Sequence, residues 1–80
     1  MMKPFRVYPD PDNSVRFNRF ATAEKAIVDA YWSVGIFGGT PKKVVAFVGE
    51  IFSLHIYGDW GRVVLTGPKE SLSEVKILMR

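Results

Sequence analysis

The chain has 80 residues, 48% hydrophobic, 24% charged and 14% aromatic, the profile of one small folded domain with no room for a second. It contains no cysteine and a single histidine, which excludes disulfide frameworks, thiolate metal sites, cysteine nucleophiles and multi-histidine metal centres. A net charge of +3 and a pI near 9.5 favour acidic partners without amounting to a basic nucleic-acid tail.

Phe5-Arg6-Val7-Tyr8 alternates apolar and polar residues, Pro9-Asp10-Pro11-Asp12-Asn13 interrupts with turn chemistry, and Val15-Arg16-Phe17-Asn18 resumes the alternation. The pattern predicts two antiparallel strands, 5–8 and 15–18, joined by a five-residue loop. Phe5, Val7, Val15 and Phe17 would share the core face, with Arg6, Tyr8, Arg16 and Asn18 opposite. The loop places Asp10, Asp12 and Ser14 at alternating positions, as a calcium loop begins. Val15 then stands where the sharp-turn glycine belongs and Ala21 where the bidentate glutamate belongs, so no metal is expected.

Thr22 is a good N-cap, and Glu24 suits the positive end of the helix dipole. Ala23, Ala26, Ile27, Ala30, Tyr31 and Val34 then recur at helical spacing, predicting an amphipathic helix that stops at Gly35. Trp32 lies off that apolar stripe. The loop Gly35-Ile36-Phe37-Gly38-Gly39-Thr40-Pro41-Lys42-Lys43 invites a phosphate-loop reading. It fails because Pro41 removes a donor and no Lys-Ser/Thr pair opens a helix. Gly35-Ile36-Phe37-Gly38 also has the Gly-x-x-Gly spacing of KH loops, but a helix C-cap over a buried Ile36 or Phe37 accounts for it more simply.

Three strand patterns follow. Residues 43–48 form a continuous apolar run, which predicts a central strand covered on both faces. Residues 51–57 alternate with Phe52, Leu54 and Ile56 inward, and 62–66 alternate with Val63 and Leu65 inward. Gly49-Glu50 and Gly58-Asp59-Trp60-Gly61 supply hairpin turns. The tail, 68–80, fits a short helix with Leu72, Val75, Leu78 and Met79 inward, or an edge strand over 75–79; the helix is preferred. The fold expected is α+β, in the order β-β-α-β-β-β, with one helix on one face of an antiparallel sheet and a short C-terminal helix. Strands 62–66 or 5–8 would be exposed edges able to pair in a homodimer; monomer and homodimer both stay open.

No catalytic constellation emerges. Ser53 and His55 share a strand face about 7 Å apart, too far for a ready nucleophile–base bond, and no acid is placed to orient the imidazole. The chain is therefore expected not to be an enzyme and to need no cofactor. What remains is a surface: the sheet face away from the helix would carry Arg6, Tyr8, Arg16, Asn18, Ser53, His55, Tyr57, Arg62 and Thr66. Lys42 and Lys43 pair their charges near the end of the helix, and Trp60 sits at a hairpin tip as a candidate anchor. The expected partner-binding set is thus Arg6, Tyr8, Arg16, Asn18, Lys42, Lys43, His55, Tyr57, Trp60 and Arg62. Such residues serve a protein or ribonucleoprotein partner, or alternatively stack and pair a strand of RNA or single-stranded DNA.

The opening sequence Met1-Met2-Lys3-Pro4-Phe5-Arg6 has no signal-peptide pattern, and the longest apolar run, 44–48, falls far short of the roughly 20 residues needed to span a bilayer. A cytoplasmic setting without membrane contact is expected. In format, a paired strand, then Ala21-Thr22-Ala23-Glu24-Lys25-Ala26, then Pro41-Lys42-Lys43-Val44-Val45 entering a β-meander, the chain resembles the small α/β anti-CRISPR proteins carried by phages. The resemblance covers most of the chain and rests on architecture rather than on a motif. It implies stoichiometric, non-enzymatic inhibition of a CRISPR surveillance complex or nuclease in the host cytoplasm. The positive charge departs from the acidic DNA-mimic members and favours contact with an acidic protein surface or guide RNA.

Overall fold

Five antiparallel strands form one open sheet in the computed structural model, which describes residues 3–9, 18–39 and 41–79. They are β1 (Phe5–Pro9), β2 (Asn18–Phe20), β3 (Lys42–Val48), β4 (Ile51–Gly58) and β5 (Gly61–Pro68), with helix α1 (Ala23–Val34) between β2 and β3 and a short helix α2 (Leu72–Leu78) at the end. The spatial order is β2-β1-β5-β4-β3. β3, β4 and β5 form a meander, β1 adds to the far side of β5, and α1 carries the chain from one edge of the sheet to the other. The α+β architecture and element order are those expected. The strand expected over 15–18 falls mostly outside the described residues, as do the loop aspartates, Val15, Arg16 and Phe17.

α1 begins and ends as its sequence dictates. Thr22 adopts an extended backbone and its hydroxyl accepts the Lys25 N–H at 3.4 Å, while Glu24 lies in the first turn. Gly35 closes the helix in the left-handed region at φ 75°, its N–H donating to the Tyr31 carbonyl. Ala23, Ala26, Ile27, Ala30 and Val34 are buried, and the three alanines let the helix axis lie close to the strands. α1 packs chiefly on β5 and β1, and less on β2 and β4. Phe5, Val7, Phe52, Leu54, Ile56, Val63 and Leu65 meet it from the sheet, with Leu72, Val75 and Met79 from the C-terminal segment completing the core. Each fully buried large side chain contributes about 1.5–3 kcal/mol relative to exposure.

The tail is helical, with a 3-10 turn over Lys69–Ser71 leading into α2, so the alternative edge strand is not formed. Leu78, expected inward, is 43% exposed. Two larger corrections concern strand position. The apolar run at 43–48 is not a central strand: β3 is the edge, and Val44, Phe47 and Val48 stand exposed. Strands 62–66 and 5–8 are not edges: β5 is the middle strand and β1 is paired on both sides. β5 is the strand with both neighbours and both faces shielded, and Val63, Val64, Leu65, Thr66 and Gly67 are all buried. No described helix is long and apolar enough to cross a membrane.

Candidate binding face

In an antiparallel ladder, directly opposed residues project to the same side, so the register fixes the composition of each face. The helices cover the side of Phe5, Val7, Leu54 and Leu65. The other side is uncovered by any described element and is built in rows across the strands. One row runs Arg19, Arg6, Thr66, Ser53, Ala46 across all five strands. The next runs Tyr8, Val64, His55, Val44, and the third Arg62, Tyr57, Lys42.

The third row is tied together. Arg62 Nη1 donates to the Tyr57 hydroxyl at 3.1 Å, and its guanidinium carbon lies 5.5 Å from the ring centroid. Lys42 Nζ stands 5.4 Å from the same ring. Such cation–ring contacts contribute about 0.5–1 kcal/mol at exposed sites. In the middle row Val64 is only 2% exposed although no helix covers it, because Tyr8 and His55 stand directly across from it on either side. His55 is half-buried, and its Nδ1 is shielded with no hydrogen-bond partner. The ring thus serves as a packing surface rather than as half of a Ser53–His55 pair. Ser53 sits in the next row, opposite Thr66 and Ala46.

The charge distribution is one-sided. Among the described residues the uncovered face carries Arg6, Arg19, Lys42 and Arg62, whereas the described carboxylates, Glu24, Asp29, Glu50, Asp59, Glu70 and Glu74, lie on helices or in turns. No group of three or more metal-ligating side chains is found among the described residues.

Of the expected binding set, the structure brings Arg6, Tyr8, Lys42, His55, Tyr57 and Arg62 together on this face. It separates three others. Asn18 pairs with Val7 and so lies on the helix side, not the open side. Phe20, opposite Phe5, is the inward residue of β2. Arg19, absent from the expected set, takes the open position opposite Arg6. Lys43 pairs with Ile56, which also turns it to the helix side.

Trp60 belongs to a separate feature. Its N–H donates to the Val34 carbonyl at 3.0 Å, bringing the β4–β5 turn against the end of α1. The indole lies so close over Gly35 that a Cβ there would stand 2.6 Å from its ring. Gly58 is equally constrained, since a Cβ would collide with the Val34 carbonyl oxygen. Phe37 is 67% exposed rather than buried, and stands edge-on between Trp32 and Trp60, 5.5 Å from each. An open cleft of about 540 Å³ lies between this aromatic corner and the Lys42–Tyr57 pair, with Ile36, Pro41 and Asp59 in its walls. Local patterning could not reveal the corner, because it joins a helix, a loop and a hairpin turn.

No known protein family, curated protein or solved structure matches the chain.

Proposed function

We propose that this domain is a non-catalytic binding module whose uncovered sheet face takes a single strand of RNA or DNA, free or presented by a ribonucleoprotein. The observation that carries this reading is the gathering of charge: Arg6, Arg19, Lys42 and Arg62 stand on one face among the rings of Tyr8, His55 and Tyr57. Guanidinium and ammonium groups pair with phosphates, while half-exposed rings offer stacking faces that any base can use. Tyr8 and His55 lie two strands apart, about 10 Å, so an extended strand can cross the sheet touching both.

Anisotropy titrations with labelled single-stranded oligonucleotides test this directly. Affinity should fall as salt rises, with a log–log slope of about −0.7 per phosphate contacted. Alanine at both Arg6 and Lys42 should flatten the slope by about 1.4. Absence of binding at low salt would remove the reading.

The resemblance to anti-CRISPR proteins narrows the partner to the guide RNA region of a CRISPR complex, with the domain as a stoichiometric inhibitor of target recruitment or cleavage in the cytoplasm of the host cell. Loss of interference when the domain is expressed, together with its co-purification with the complex, supports that narrower reading; unchanged interference and no co-purification discard it. A protein partner is the second reading, favoured by the exposed Trp32–Phe37–Trp60 corner, since clustered aromatics are the side chains that dominate protein interfaces.

A further inference from the structure

Lys42 and Asp59 line one cleft without pairing with each other. The cleft adjoins the row Arg62, Tyr57, Lys42, so it continues the basic face at one end. Its volume, about 540 Å³, lies within the range of small-ligand sites, about 300–1,000 Å³. Ile36, Phe37 and Pro41 give it apolar walls, and Phe37 is 67% exposed. Its sides are anchored from beneath: the Ile36 N–H donates to the Tyr31 carbonyl and the Trp60 N–H to the Val34 carbonyl, each at 3.0 Å. Among the described residues no hydrogen bond or ion pair engages the Asp59 carboxylate. The Lys42 ammonium lies only against the Tyr57 ring, at 5.4 Å.

Opposite charges held apart between apolar walls fit a flat ligand with an anion at one end and adjacent donors at the other. A carboxylate only accepts hydrogen bonds, through two oxygens side by side. Guanine alone among the bases offers it two adjacent donors, N1–H and the N2 amino group. Adenine and cytosine set an acceptor nitrogen beside their one amino group, and uracil flanks its N–H with carbonyls. We infer that this cleft is a guanine pocket: the base stacks against Phe37 and Pro41, its N1–H and N2 amino group donate to Asp59, and Lys42 pairs with its phosphate. An arginine side chain offers similar paired donors, but Lys42 and Arg62 repel its charge and leave its stem no anion to present. The inference rests on the reading of the adjoining sheet face as a single-strand surface, and adds base selectivity at one end of it.

Nuclear magnetic resonance of the isotope-labelled chain tests the pocket with the 5′-monophosphates of guanosine, adenosine, cytidine and uridine. The guanosine nucleotide should shift amides at 35–38, 42 and 57–59 and bind about tenfold tighter than the other three. Asp59→Asn keeps a residue suited to the turn but presents one acceptor and one donor, the match for adenine. It should exchange the guanosine preference for adenosine, a switch that a merely structural Asp59 would not produce. Lys42→Ala should weaken all four alike. Anisotropy with oligothymidylate, and with the same oligomer carrying one guanine, separates this inference from the reading beneath it. If both oligomers bind equally, the guanine pocket is overturned and the sheet-face reading stands; if neither binds at low salt, both fall. The pocket is also overturned by an unchanged preference in Asp59→Asn, by no shift with millimolar guanosine nucleotide, or by N-acetylarginine amide shifting the same amides more strongly.

Discussion

β3 and β5 are written in nearly the same letters and live in opposite surroundings. Lys42–Val48 reads KKVVAFV and Gly61–Pro68 reads GRVVLTGP; each sets a cation directly before Val-Val. β5 is the middle strand, with Val64 shielded even on the face that no helix covers. β3 is an edge whose Val44 lies in the same row, two strands away, half-exposed. Local hydrophobicity thus specifies that a segment will be a strand without specifying how much water it will lose. An apolar run that stays at an edge marks a surface with another use.

The sharpest way to break this comparison is one substitution at two places. Val64→Lys buries an ammonium group without a partner and should remove most of the roughly 3–5 kcal/mol available to a domain of this size. Val44→Lys, on the same face, should stay within about 0.5 kcal/mol. Urea unfolding followed by tryptophan fluorescence measures both, and equal effects would mean that β3 is as protected as β5. Next in size is the truncation Leu65→Ala, expected to cost about 2–5 kcal/mol against about 1 kcal/mol for Val45→Ala on the partly buried edge. The hairpin that seats β5 beneath α1 gives a smaller effect. Gly58→Ala should cost about 1–3 kcal/mol by forcing the turn away from the Val34 carbonyl, with a change in Trp60 emission.

Hydrogen exchange refines the contrast without mutation. Amides of β5 should exchange only on global unfolding. The outward amides of β3, at the edge of the sheet, should exchange far faster.

The smallest expected effect lies on α1. Tyr31 holds its hydroxyl buried without a hydrogen-bond partner, and burial raises its pKa above the ordinary value of 10.0. A raised pKa means that the unfolded chain releases the proton first, so this contribution is intact below pH 10 and is lost as pH climbs through the folded-state value. Tyr31→Phe should be neutral to slightly stabilising near pH 7, within about 1 kcal/mol, and its stability should fall less steeply above pH 10.

Much of the fold was legible because it is encoded at short range. The cap at Thr22, the five buried residues of α1 and the αL stop at Gly35 follow from a period of 3.6 and two end signals. Inward Phe52, Leu54, Ile56, Val63 and Leu65 follow from a period of two. The candidate face was legible to the same extent, since once inward residues are known, Arg6, Tyr8, His55, Tyr57 and Arg62 must face outward. Asn18 shows the weakness of the method: a one-residue change of parity moves a side chain to the other face, so Arg19 takes the place expected of Asn18. Lys43 shows the same sensitivity in a run whose apolar residues do not alternate.

By itself, the sequence determined the order of the main elements, the helix α1 and its ends, and the core-facing residues of β1, β4 and β5. These depend on neighbours within a few positions, where side-chain direction is set by backbone geometry. Only the tertiary structure decided that β5 lies in the middle and β3 at the edge, and that Trp32, Phe37 and Trp60 meet at one corner. Those outcomes depend on pairings between segments distant in the chain. Both strands satisfy the local pattern, β3 being the more apolar of the two, yet the central place goes to the one that β1 and β4 flank and α1 packs upon.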